Sequence, residues 1–456
     1  VRTPPARADL RRHRRRHDAE IVRLAVPAFL ALVAEPLFLL GDAAVVGHLG
    51  TIPLAGLGVA ATVLQTVVGL CVFLAYGTTA SVARRVGAGD RAGALAQGVD
   101  GIWLAVLIGV AATAVLLALA GPLVGIFGAE AAVEDAALTY LRIAALGTTP
   151  LLVMLAATGV LRGFQDVRTP LVVAVAGNVV NLVLNVLLVF GTGPLPALGI
   201  AGSAIGSVVA QVLSAAALVA VVVRGARREG ASLRPDTRGV REAARAAGPL
   251  VVRTLTLRAA LLVTTYAVAI APAAERTVDL ATHQLAMTLW TFLAFVLDAI
   301  AIAAQAITGR YLGAGDVEGT RAVTRRMLRW GLLSGLVTGV LLAVAAPLLG
   351  PLFSSDAQVH ERLVPVLLVA ALAQPLAGVV FVLDGVLIGA GDGAYLARAG
   401  TLVLLAHAPV VLLVAGAGGG LVGVWVVFSF VFMGARGLAL VHRERGGAWL
   451  VTGAGR

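Results

Sequence analysis

Apolar runs of about 20 residues recur from one end of this chain to the other, and no other feature restricts its fold so severely. A run of that length crosses a hydrocarbon core of roughly 30 Å as a helix, because each helical residue rises about 1.5 Å. Hydrophobic residues make up 59% of the 456 and charged residues only 13%, a balance that excludes a soluble globular chain of this size. A transmembrane barrel would show short alternating segments, which are missing. Reading runs between charged or Pro/Gly punctuation predicts helices near 21–47, 54–82, 98–120, 136–161, 171–191, 199–223, 247–271, 280–308, 328–350, 363–388, 394–416 and 419–440. The expected fold is an all-α polytopic membrane protein with twelve transmembrane helices.

Arginine divides the loops into two sets. Arg84, Arg85, Arg91, Arg162, Arg168, Arg224 through Arg245, Arg310 through Arg326 and Arg398 fall in alternate connections, while Glu130, Glu134, Asp135, Glu275, Asp279, Asp356 and Glu361 fall in the others. By the positive-inside rule both ends of the chain are expected in the cytoplasm of a cell membrane, for which a bacterial one is expected. The basic run RRHRRRH at 11–17 then reads as a cytoplasmic tail beside anionic lipid, with no nucleic-acid partner. The first apolar run is too long for a cleavable signal peptide, and the single cysteine, Cys71, leaves no cysteine-based metal site.

The chain is duplicated. RRVGAGDRAG at 84–93 and RYLGAGDVEG at 310–319 share R-x-x-G-A-G-D-x-x-G at an offset of 226, and GVLRGFQD at 159–166 matches GVLIGAGD at 385–392 at the same offset. Each half holds six spans, an even number, so the repeats are parallel and form two pseudo-symmetric six-helix bundles. The expected organisation is a basic tail over 1–20, a first lobe over 21–223, a cytoplasmic linker over 224–246, a second lobe over 247–441 and a tail over 442–456. Two similar bundles suit alternating access, and Pro27, Pro150, Pro375 and Pro409 suit helices that bend.

Polar residues inside spans are functional candidates by default. Asp42 lies about 20 residues into the first helix, roughly in the outer third of a bilayer. Asn178, Asn181 and Asn185 share one face of helix 5, and the last two fall near the depth of Asp42. Burial disfavours the carboxylate anion while amides hydrogen-bond either form, so Asp42 can exchange a proton or serve as interhelical glue. The second half carries Arg253, Arg258, His283, Asp298, Gln305, Gln374 and Asp384. Matching depths predict two ion pairs, Arg258 with Asp298 and Arg253 with Asp384, either structural or switch-like. Arg142 is expected to snorkel to the interface. Nothing resembles a zinc site, or a nucleophile with a matched base, so no enzyme is expected.

The paired GAGD loops, LDGVLIGAGD at 383–392, NVVNLVLN at 178–185 and LGIAGSAIGSVVAQ at 198–211, which ends on Gln211, resemble the multidrug and toxic compound extrusion (MATE) transporters. LATHQLAMTLWTFLAFVLDAIAIAAQAITGRYLGAGD at 280–316 is similar to their DinF-like branch. The resemblance implies export of organic, often cationic or amphipathic compounds in exchange for protons or sodium, by a monomer in the lipid bilayer that needs no cofactor. It also implies that Asp42 is the proton-coupling carboxylate, that Pro27 is the hinge of the first helix, and that Asp384 matches an acid used for cations in some members. Asn185 stands where several prokaryotic members have aspartate, and LLVTTYAVA at 261–269 lacks the glutamate linked to sodium coupling. Both departures favour the proton. A lipid or lipid-linked precursor flippase of the same superfamily is the alternative.

Overall fold

A computed structural model describes residues 7–191, 196–271 and 276–454, with side chains from residue 17 onward. Glu275, the side chains of the arginine run before His17, and the last two residues lie outside it. Twelve helices among the described residues are long and apolar enough to cross a membrane. We number them α1 (Arg7–Gly47), α2 (Thr51–Gly87), α3 (Arg91–Ala118), α4 (Ala131–Gly163), α5 (Arg168–Phe190) and α6 (Ile200–Arg228) in the first half. The second half holds α7 (Thr237–Ile270), α8 (Arg276–Gly313), α9 (Val317–Phe353), α10 (Ala357–Gly389), α11 (Gly393–Gly416) and α12 (Gly420–Arg445).

Two differences from the expected spans share one cause. Helix α1 begins at Arg7, inside the stretch read as a tail, and the connection between the halves shrinks to 229–236 because α6 runs on to Arg228 and α7 starts at Thr237. Hydropathy marks where the membrane ends, whereas arginine is a good helix former in water as well.

The repeated loops are helix punctuation. In the first copy Gly89 has φ +82° and Asp90 caps α3, its Oδ1 accepting from Gly93 N at 2.8 Å. In the second, Gly315 has φ +76° and Asp316 Oδ1 accepts from Gly319 N at 2.7 Å. The motif therefore supplies a left-handed glycine to end one helix and an aspartate to start the next. The other repeated turn uses the same plan, with Gly391 at φ +72°. Its counterpart 226 positions earlier is Gln165, at φ +62° and alone among the described non-glycine residues in having positive φ.

The helices form two compact units. One comprises Leu30–Ala247, packed around Leu57, Ala60, Leu116, Tyr140 and Leu141 towards one end and around Leu95, Val99, Val160 and Leu218 towards the other. The other comprises Arg7–Phe29 together with Gly248–Ala454. Within it α9 and α10 cross so closely that a Cβ added to Gly378 would lie 2.0 Å from the carbonyl oxygen of Gly331, which only glycine permits.

Candidate functional site

In the Leu30–Ala247 unit, Asp42 is 2% exposed. Its Oδ1 accepts a short hydrogen bond from Asn185 Nδ2, and its Oδ2 accepts from Ser207 Oγ at 3.1 Å and from Tyr140 OH at 3.4 Å. Asn181 Nδ2 donates to Ser207 Oγ at 3.0 Å, and its Oδ1 accepts from Asn185 at 3.4 Å. Helices α1, α4, α5 and α6 thus converge on one carboxylate, and all three of its donors are neutral. Asn178, on the same face of α5, does not join this ring. It donates to the backbone oxygen of Ala34 at 2.6 Å and so ties α5 to α1. Gln211 sits one turn along α6 from Ser207, its Oε1 packed against Gly147.

Three members of the neighbourhood escape a reading by depth. Tyr140 and Ser207 look like ordinary helix residues, and the hydrogen bond from Ser207 spans 165 positions. Glu35 is one heptad before Asp42 and therefore on the same face of α1, yet its side chain is exposed and makes no hydrogen bond or ion pair among the described residues. An exposed carboxylate within a span is costly against lipid, so this position suits a water-filled path.

The other unit contains no copy of this ring. The residues 226 positions after Asp42, Tyr140 and Asn185 are Val268, Val366 and Val411, all buried. Asn181 corresponds to His407, which is fully buried. Thr264 spends its hydroxyl proton on Ala260 O at 2.8 Å, so its Oγ1 accepts from His407 Nε2–H at 2.9 Å. His283 is held from both sides. Trp425 Nε1–H donates to its Nδ1 at 3.2 Å, and its Nε2 meets Thr265 Oγ1 at 3.0 Å. The Trp425 bond requires an unprotonated Nδ1, which leaves the ring proton on Nε2 to donate to Thr265.

Asp384 carries the main charge cluster of this unit. Arg253 Nη2 donates to its Oδ2 at 2.7 Å, and Arg436 Nη2 donates to the same oxygen. Arg436, which falls inside the predicted span 419–440 and is not singled out there, also lies over the Phe432 ring at 5.5 Å. Phe432 closes a π-helical segment, Val427–Phe432, of α12. The expected pairing of Arg258 with Asp298 does not form: Arg258 is exposed and has no acidic partner among the described residues. Five residues separate Arg253 from Arg258, about 140° around a helix, so the two lie on different faces, which a match of depth with Asp298 does not register. Gln305 and Gln374 are buried, Asp298 is half-buried and Arg142 is exposed.

The sequence profile of the MatE family matches residues 27–187 and 249–413, one match in each half. The chain belongs to the MatE family. It is 32% identical to Protein DETOXIFICATION 44, chloroplastic, of Arabidopsis thaliana, covering 94% of this chain and 83% of that one. It is 28% identical to DNA damage-inducible protein F of Escherichia coli K12, covering 95% and 94%. The fold matches a solved MATE transporter of Vibrio cholerae in its bent form, with a TM-score of 0.84 at 22% identity over 96% of this chain and 99% of that one. As a member of the MatE family the protein is a multi-pass membrane transporter, not an enzyme, and moves small organic compounds by secondary-active alternating access.

Proposed function

We propose that this MatE protein exports organic cations and amphipathic compounds in exchange for protons, and that Asp42 is the group that carries the proton. One observation bears most of the weight: a buried carboxylate is surrounded by neutral donors, from Asn185, Ser207 and Tyr140. Such a group costs free energy to keep charged and can be neutralised by a single proton. The groups nearest the carboxylate present hydrogens to it, which suits an exchangeable proton. In the other unit the acid that matches a cation-handling position, Asp384, is already capped by two guanidinium groups, which disfavours a metal cation beside it. Asn178, Asn181, Gln211 and Pro27 support the ring and the bending of α1. The arginine-rich connections support a cytoplasmic position for both ends of the chain, and the transporting unit in this reading is a single chain.

Proteoliposomes loaded with ethidium and given either a pH gradient or a sodium gradient test this reading. The expected result is dye movement under the pH gradient alone, abolished by Asp42→Asn. Efflux by Asp42→Asn with an unchanged pH dependence would refute the coupling role, and movement under sodium alone would refute the choice of ion.

A further inference from the structure

Each half of the repeat begins on the unit that the other half builds. The unit of Gly248–Ala454 takes in Arg7–Phe29, and the unit that starts at Leu30 runs on to Ala247. The boundaries cut α1 and α7, each within two residues of a proline, Pro27 and Pro249. A proline lacks an N–H, so the carbonyl four residues earlier loses its helical donor and the helix bends there at reduced cost.

The two leading segments are held by different chemistry at equivalent places. Ahead of Pro27, Asp18 accepts from Arg326 Nε and Nη2, both at 2.5 Å, and from Trp330 Nε1 at 2.8 Å. His17 stands edge-on to Tyr311 beside it, with ring centroids 6.4 Å apart. Ahead of Pro249, Asp100 Oδ1 accepts from the backbone N–H of Asp236 at 3.0 Å, Trp103 Nε1 donates to Leu233 O at 3.4 Å, and Arg91 pairs with Glu229 at 2.8 Å. Arg326 and Asp100 lie 226 positions apart, so the third helix of each half supplies the clamp. The duplication kept the clamp's location and reversed its charge.

The clamps differ in how readily they can part. Asp100 is 7% exposed, so parting from the Asp236 amide would leave its carboxylate largely cut off from water. Asp18 and Arg326 each keep 27% of their side-chain surface, so water can take over both partners when they separate.

We propose that the Asp18–Arg326–Trp330 contact is a latch that opens and closes once per transport cycle, freeing the segment before Phe29 from α9 as α1 bends. This rests on the alternating-access reading and adds the element that holds one of its states. The test places Asp18→Cys and Arg326→Cys in a Cys71→Ala background and joins the two thiols with a reducible bis-methanethiosulfonate linker in proteoliposomes loaded with ethidium. Transport by the unlinked pair checks the transporter reading separately. Linking is expected to slow dye movement at least tenfold, with recovery on adding dithiothreitol. Undiminished transport at complete linking would overturn the latch.

Should the unlinked pair fail to transport, Asp18→Asn supplies the second test. Trypsin cleavage at the arginines ahead of His17 is then expected to rise at least fivefold over the unsubstituted protein. Equal cleavage would show that Asp18 holds nothing and would overturn the proposal.

Discussion

Asn185 gives its amide hydrogen to Asp42 and leaves its own Oδ1 buried without a partner among the described residues. A donor lost from such a site leaves the carboxylate undersatisfied in a low-dielectric interior. Asn185→Ala is expected to cost about 1–3 kcal/mol of stability, read as a lowered unfolding temperature in detergent. A variant as stable as the parent would show that the Asn185 contact contributes little to the fold.

The cluster at Asp384 predicts a strong asymmetry between partial and complete removal. Arg436→Met alone takes away one guanidinium and disturbs a buried ionic cluster, with an expected loss of about 3 kcal/mol or more. Replacing all three charges together, with Arg253→Met, Asp384→Leu and Arg436→Met, is expected to recover most of that loss, because well-packed apolar groups substitute for buried ions at little cost. Chemical denaturation of both variants compares them, and a triple variant less stable than the single one would refute the argument.

Gln165 occupies the left-handed backbone position that Gly391 fills in the other half. A side chain there costs roughly 1–2 kcal/mol, partly offset by the extra entropy that glycine loses on folding. Gln165→Gly is accordingly expected to stabilise the protein by about 0.5–1 kcal/mol. A fall in melting temperature would mean that the Gln165 side chain contributes more than its backbone costs.

Glu35 is exposed, so its removal is expected to change stability by less than about 0.5 kcal/mol. Its effect should fall on charged substrates. Glu35→Gln is expected to raise KM for a cationic dye several-fold while leaving a neutral compound unaffected, which parallel transport assays can compare. Equal effects on both would exclude an electrostatic role for this carboxylate.

The sequence by itself determined the twelve spans, the duplication and the expense of Asp42. Each is written in a local pattern: an apolar run long enough for a bilayer, a motif repeated at one offset, a charge among aliphatic residues. It also determined the turns, since Gly89–Asp90 and Gly315–Asp316 carry their own helix stop and start. Tertiary structure alone decided which polar groups meet. Counting residues along a helix gives depth and face, which brought Asn181 and Asn185 to the level of Asp42. It does not give the rotation of one helix against another. That rotation is set by packing of small and branched residues over the whole interface, and it brought in Tyr140, Ser207 and Arg436 while leaving Arg258 outside. The same packing assigned Arg7–Phe29 to the unit built by the second half, a choice for which hydropathy carries no signal.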